Sequence, residues 1–141
     1  MNTACVVGFG SVVQATIGFA VLKDAVLTMQ GSILFVEAIA VNVLAGATGS
    51  ASGGLKIALN ALGEEFLLRA SAIGLNPEYL HRIASLASGG LDTLPHNGAV
   101  LTLLSASNCS HKESYMDICV TSCIIPVVVS ILLSLVWGLF I

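Results

Sequence analysis

Charged residues are scarce in this sequence. They make up 9% of its 141 residues, whereas a soluble domain contains roughly 25%, so the chain lacks the charge needed to cover a surface in water. Two stretches, residues 118–141 and residues 1–22, contain no charged residue at all. A helix of about 20 apolar residues crosses the roughly 30 Å hydrocarbon core of a bilayer. The composition therefore predicts an all-α integral membrane protein, with residues 1–141 forming a single membrane domain.

Three further absences exclude other classes. The net charge is only −3 and the five basic residues are scattered, so no nucleic-acid partner is expected and the charges assign no membrane orientation. The four cysteines form no CxxC pair, so neither a metal nor another cofactor is expected. The first apolar stretch lacks a basic leader and is interrupted by glycines, which argues against a cleaved signal peptide. We interpret residues 3–22 as a membrane segment that ends at Lys23-Asp24.

The pentapeptide Ala-Ser-Gly-Gly-Leu occurs twice, at 51–55 and at 87–91. Glycine and serine weaken helices, so each copy predicts an interruption. After the first copy only a short apolar run separates Lys56 from Glu64, too little helix to cross a membrane. Irregular backbone at membrane depth is tolerated where it is buried in protein or lines a cavity. We therefore predict a helix and re-entrant hairpin over 25–63, with non-helical backbone at 48–54 and an interfacial stretch at 64–75.

The second copy falls inside a predicted broken helix, residues 76–107. Asn76-Pro77-Glu78 is typical of a helix start, Gly89-Gly90 ends the first half, and the second half begins near Gly98. Without the non-helical residues 89–97, about 20 helical residues remain, or roughly 30 Å of rise, which matches one membrane crossing. Exposed amides and half-helix N-termini at such interruptions bind anions in secondary transporters.

We predict the last transmembrane helix within residues 111–141, continuous over about 113–140. Ser110 and Glu113 have the spacing of a capping box. Pro126 should kink this helix, and Trp137 suits an anchor at the membrane interface.

Four segments carry a resemblance to the gluconate permease family of the ion transporter superfamily. They are GSASGGL (49–55), HRIASLASGGLDTLPHNGAVLTLL (81–104), GFGSVVQATIGF (8–19) and HKESYMD (111–117). The resemblance implies a multi-pass protein of the bacterial inner membrane that takes up gluconate, a related sugar acid or 3-hydroxybutyrate by proton symport. It also implies that this chain is the C-terminal part of a two-repeat transporter. Its partners would then be the small organic anion, protons, the lipid bilayer and the missing N-terminal half, and a homo-oligomer is compatible with this reading.

Asp92 is the candidate for proton coupling. An acidic side chain within a broken membrane helix is energetically costly and is therefore a functional candidate. The alternative is that Asp92 caps the half-helix that follows it.

The candidate substrate-binding residues lie in the two interrupted regions. Amides and hydroxyls of the first region would hold a carboxylate, and the second region would hydrogen-bond the hydroxyls of the acid. The alternatives are close helix packing in the first region and local satisfaction of loop carbonyls in the second. These candidates are Ser50, Ser52, Gly53, Gly54, Thr93, His96 and Asn97.

Four other polar residues are ambiguous. Lys56 is either a counter-ion for a carboxylate or extends towards water. Glu37 either pairs with a basic residue or lies at an interface, and His81 and Arg82 suit the lipid headgroups.

Two other functional classes compete with a transporter. An intramembrane hydrolase would need a G-x-S-x-G nucleophile elbow, but Ala51 occupies the central position of residues 49–53. A non-transporting assembly subunit would not need two polar interruptions in apolar surroundings. We therefore expect a transporter and not an enzyme.

Overall fold

Helices provide all of the regular secondary structure in the part of the chain that the computed structural model describes, which is residue 12 and residues 15–139. Six helices follow one another along this part of the chain, and the prediction of an all-α fold is confirmed for it. They are α1 (Ile17–Thr28), α2 (Ile33–Thr48), α3 (Ala51–Ala72), α4 (Pro77–Ser88), α5 (Gly98–Ala106) and α6 (His111–Leu139).

The first boundary in the described chain differs from the prediction. Most of the predicted segment 3–22 lies outside the described residues. Lys23 and Asp24, predicted to mark its end, lie inside α1, because neither residue prevents helix formation. The chain leaves helical geometry at residues 29–32 instead, where Gly31 has a φ of 146° that favours glycine.

A tight turn at Gly49 and Ser50 connects α2 to α3. Gly49 has the left-handed φ of 60°, and the Ser50 hydroxyl accepts a hydrogen bond from the backbone N–H of Gly53 at 3.2 Å. The prediction of non-helical backbone over 48–54 is therefore wrong for Thr48, the last residue of α2, and for residues 51–54, which form the first turn of α3. The capping hydroxyl of Ser50 and the close packing of Gly54 against Ala45 offset the weak helix propensity of the glycines.

Helix α3 also replaces two predicted pieces. It runs for 22 residues through Lys56 and Glu64 to Ala72, so the short return and the separate interfacial stretch are one continuous helix. The α2–α3 pair is a helical hairpin, and its re-entrant position in a membrane stays a prediction.

Helix α2 lies at the centre of the packed helices. It contacts α3, α4 and the C-terminal part of α6, and most of its residues are buried. A helix that is apolar all round needs this setting, since every face must be covered. Leu34 and Val41 of α2 pack in one core with Leu62 and Phe66 of α3 and Ile83 of α4.

Helices α4 and α5 have the bounds expected of a broken helix. The Asn76 side chain caps α4 by accepting from the N–H of Glu78 at 2.9 Å, and α4 ends at Ser88 before the glycine pair. Residues 89–97 are non-helical, as predicted. That this interruption lies within a membrane stays a prediction.

Helix α6 is the described helix that is long and apolar enough to cross a membrane. Its predicted capping box is present, with Glu113 accepting from the Ser110 N–H at 3.0 Å. The helix is π-helical over Val120–Ile124, just before Pro126. Because proline lacks an N–H and its ring crowds the carbonyl four residues earlier, this wider turn accommodates it.

Much of the apolar surface of α6 is uncovered. These exposed side chains include Met116, Ile124, Val128, Leu132 and Leu139. A bilayer would solvate such a surface without cost.

Candidate functional site

The loop formed by residues 89–97, called the 89–97 loop below, packs against the turn between α2 and α3. The Asn97 side-chain amide donates to the Gly49 carbonyl at 2.7 Å. The Asp92 carboxylate lies close enough to the backbone N–H of Ala51 to interact with it. A Cβ added to Gly49 would lie only 3.3 Å from the His96 ring. The two regions that carry the repeated pentapeptide, far apart in sequence, therefore meet in the fold.

Asp92, in the 89–97 loop, lies next to the N-terminal end of α3. Its side chain is half-buried, and its partner Ala51 is the first residue of that helix. A carboxylate here interacts favourably with the positive end of the helix dipole. The interpretation of Asp92 as the cap of the following half-helix is wrong, since Asn97 caps α5. Asp92 instead links the loop to a different helix.

Asn97 holds the 89–97 loop in shape. Its side chain is 6% exposed. Besides the Gly49 carbonyl, its amide nitrogen contacts the carbonyl of Asp92, and its oxygen accepts from the N–H of Ala99 at 2.5 Å. Both N–H donors of the amide are thus occupied, so Asn97 could donate a hydrogen bond to a substrate only by giving up one of these bonds.

Replacing Asn97 with alanine should destabilise the protein more than the same change at Asn76. Asn76→Ala removes a helix cap, at a cost of about 1 kcal/mol. Asn97→Ala removes a cap and also leaves the partly buried Gly49 carbonyl without this donor, which adds about 1 kcal/mol or more. Thermal unfolding of the full-length protein in detergent measures both. Equal shifts in melting temperature would contradict the role of Asn97 in joining the loop to the turn.

Helix α6 supports the other side of the 89–97 loop. A hydrogen bond of 3.0 Å joins the Thr93 hydroxyl to the Cys123 thiol, and the Tyr115 hydroxyl donates to the Thr93 carbonyl at 3.4 Å. The His111 ring lies 3.2 Å from the Pro95 carbonyl oxygen. Thr93 is therefore directed to α6, away from the turn at Gly49.

The predicted carboxylate cradle at the start of α3 is partly occupied by the chain itself. The Gly53 N–H donates to the Ser50 hydroxyl, and the Gly54 N–H donates to the Ser50 carbonyl at 2.8 Å. Gly54 is buried against Ala45 of α2, which favours close packing as its role. Ser52 is exposed beside the turn.

The ambiguous polar residues do not join this site. Lys56 is exposed on α3, and Arg82 pairs with Glu78 on the surface of α4 at 2.5 Å. Glu37 is buried, at 1% exposure, and lines a different cavity together with His81.

Sequence reasoning missed the contact of α2 and α6 with the 89–97 loop. The Asn42 side chain donates to the Ser130 hydroxyl at 3.2 Å and lies against Gly90. A Cβ at Gly90 would collide with Asn42 and would lie 2.8 Å from Val127. A lone asparagine in an apolar helix was the available signal, since a buried amide needs partners.

Taken together, the site offers one acidic group, one imidazole and the positive end of a helix. Asp92, His96 and the start of α3 are adjacent, and the His96 side chain is exposed. The described residues contain no group of three His, Cys, Asp or Glu side chains that could hold a metal ion. The arrangement suits reversible binding of an anion and a proton.

One curated protein provides a comparison for most of the chain. The chain is 47% identical over 118 residues to the uncharacterized transporter YxjC of Bacillus subtilis (strain 168). The match covers 84% of this chain and 25% of that protein, so the chain spans about a quarter of the length of its relative. No family model matches the chain. No solved structure matches it. The similarity to a protein named a transporter, together with α6, supports a transport role and a place in a membrane.

Proposed function

We propose that this chain is part of a secondary active transporter that takes up a small hydroxy-carboxylate by proton symport. The substrate class is gluconate, a related sugar acid or 3-hydroxybutyrate, as the resemblance to gluconate permeases implies. The observation that carries the proposal is the contact between Asp92 and the first amide of α3. It brings a titratable acid to a helix end that attracts anions.

That contact suggests how proton and substrate binding are coupled. An ionised Asp92 places its own negative charge at the start of α3, so a substrate carboxylate there would meet a like charge. A protonated Asp92 is neutral and leaves the positive helix end available to the substrate. Proton binding would therefore favour substrate binding, which is what symport requires.

The neighbouring side chains fit the rest of a hydroxy acid. His96 is exposed next to the turn and has two ring nitrogens that can hydrogen-bond hydroxyls. Ser52 offers a further hydroxyl at the start of α3. Asn97 and Thr93 contribute mainly by holding the loop in place.

Uptake of labelled acids by cells that carry the full-length gene tests the proposal. We expect accumulation of gluconate or 3-hydroxybutyrate that rises when the external medium is made more acidic, since protons drive entry. A protonophore should abolish it. Cells that accumulate neither acid above the level of an empty-vector control would contradict the proposed substrate class.

A further inference from the structure

A second acidic residue is buried away from the site described above. Glu37, on α2, is 1% exposed, and its Oε2 atom is buried without a hydrogen-bond partner. Most buried polar groups in proteins are hydrogen-bonded, so this oxygen requires an explanation. An ionised carboxylate left in this state would be strongly destabilising, whereas the neutral acid is tolerated much better.

The Glu37 side chain borders a cavity of about 310 Å³ between α2, α3 and α4. Helix α3 contributes Gly63 and apolar side chains such as Leu59 and Phe66, and α4 contributes the polar side chains of His81 and Ser85. The lining is mainly apolar, with His81 and Ser85 as exposed polar side chains, and the volume is large enough to admit water.

Few titratable groups face Glu37. His81 is the other titratable residue that lines the cavity. The C-terminal part of α6 that packs against α2 has no ionisable side chain over residues 125–139. No described lysine or arginine forms an ion pair with Glu37, so no lysine or arginine in this part of the chain compensates for a charge on it.

We propose that Glu37 is a proton-binding site that holds its proton as a neutral carboxylic acid and exchanges it through this cavity. On release, the carboxyl O–H bond breaks, the electron pair stays on the carboxylate oxygen, and the proton passes to cavity water or to a His81 ring nitrogen. Any role of this proton in transport rests on the proposed function, but the existence of the site does not.

Infrared spectra of the purified full-length protein at neutral pH test the site without any substrate, when the spectrum of each variant is subtracted from that of the wild type. We expect the wild type to have a protonated-carboxyl C=O band that is absent from Glu37→Gln and present in the matched cavity variant Ser85→Ala. Identical spectra of wild type and Glu37→Gln in this region would overturn the proposal. Loss of the band on addition of sodium chloride, but not choline chloride, would also overturn it by showing that the site prefers a metal cation.

Folding of the same variants is equally informative. Glutamine resembles a neutral carboxylic acid in shape and charge, so Glu37→Gln should keep a melting temperature close to that of the wild type. A large loss of stability in Glu37→Gln alone would mean that a charged Glu37 is paired in the full-length protein, and would overturn the proposal.

The spectroscopic and transport results separate the two proposals. A Glu37 band in a protein that transports neither acid leaves the proton site intact and removes the proposed substrate. Normal uptake by a protein without the band removes only the proton site.

Discussion

Asp92→Asn in the full-length protein should lose pH-driven accumulation of substrate while it retains substrate exchange across the membrane. Asparagine keeps the size of the side chain and an oxygen that can accept from the Ala51 N–H, so the loop should stay in place against α3. What it loses is the ability to bind and release a proton. Membrane vesicles allow both activities to be measured on the same preparation.

Two control variants separate a loss of proton coupling at Asp92 from a loss of folded protein. Asp117→Asn changes an exposed acid on α6 and should leave both activities normal. Asp92→Ala also removes the acceptor for Ala51 and should lower the amount of folded protein. Normal pH-driven accumulation by Asp92→Asn would exclude Asp92 from proton coupling and would make His96 the next candidate.

Gly54→Ala should disrupt the α2–α3 hairpin, whereas Gly63→Ala should be tolerated. A Cβ at Gly54 would lie 2.5 Å from the backbone nitrogen of Ala45 and closer still to its Cα. Backbone atoms cannot rotate away as a side chain can, so the helices must separate. We expect a loss near the upper end of the usual overpacking cost, about 3 kcal/mol.

Gly63 provides a matched control in the same helix. The nearest atom to a Cβ added there is the Leu59 Cβ at 3.9 Å, an ordinary contact. Alanine forms helix better than glycine, so Gly63→Ala should stabilise the protein by about 0.5–1 kcal/mol. Melting temperatures in detergent compare the two variants, and similar values would contradict close packing at Gly54.

Sequence reasoning succeeded where local signals and structure agree. The cap at Asn76, the glycine pair at 89–90 and the second start at Gly98 gave the bounds of α4 and α5. The long charge-free stretch and the capping box gave α6. In each case the helix end depends on residues within one or two turns of it, so neighbouring residues contain the necessary information.

The repeated pentapeptide shows where local reasoning fails. Residues 51–55 begin a helix, while residues 87–91 end one, although the five amino acids are identical. The difference lies in distant contacts. Gly54 packs against Ala45 within a hairpin, whereas Gly90 packs against Asn42 and Val127. Tertiary packing of this kind overrides helix propensity.

The candidate site was predicted in its parts but not in its connections. The prediction placed both interrupted regions in one substrate site, and the structure brings the two regions together. A substrate or proton role for Asp92, His96 and Asn97 stays a prediction. Two contacts depend on how α3 is placed beside the 89–97 loop. Asp92 contacts Ala51, and the Asn97 amide donates to the Gly49 carbonyl. No pattern of residue types determines that placement.

Substrate protection of a single cysteine at position 52 tests most directly whether the start of α3 and the 89–97 loop form the substrate site. Ser52→Cys in a cysteine-free full-length protein places an exposed thiol beside Asp92 and His96, and Ser107→Cys places one at the exposed end of α5 as a control. In vesicles that take up the acid, saturating substrate should slow alkylation at position 52 by a water-soluble maleimide and leave position 107 unchanged. Equal alkylation of position 52 with and without that substrate would contradict a binding site at this contact.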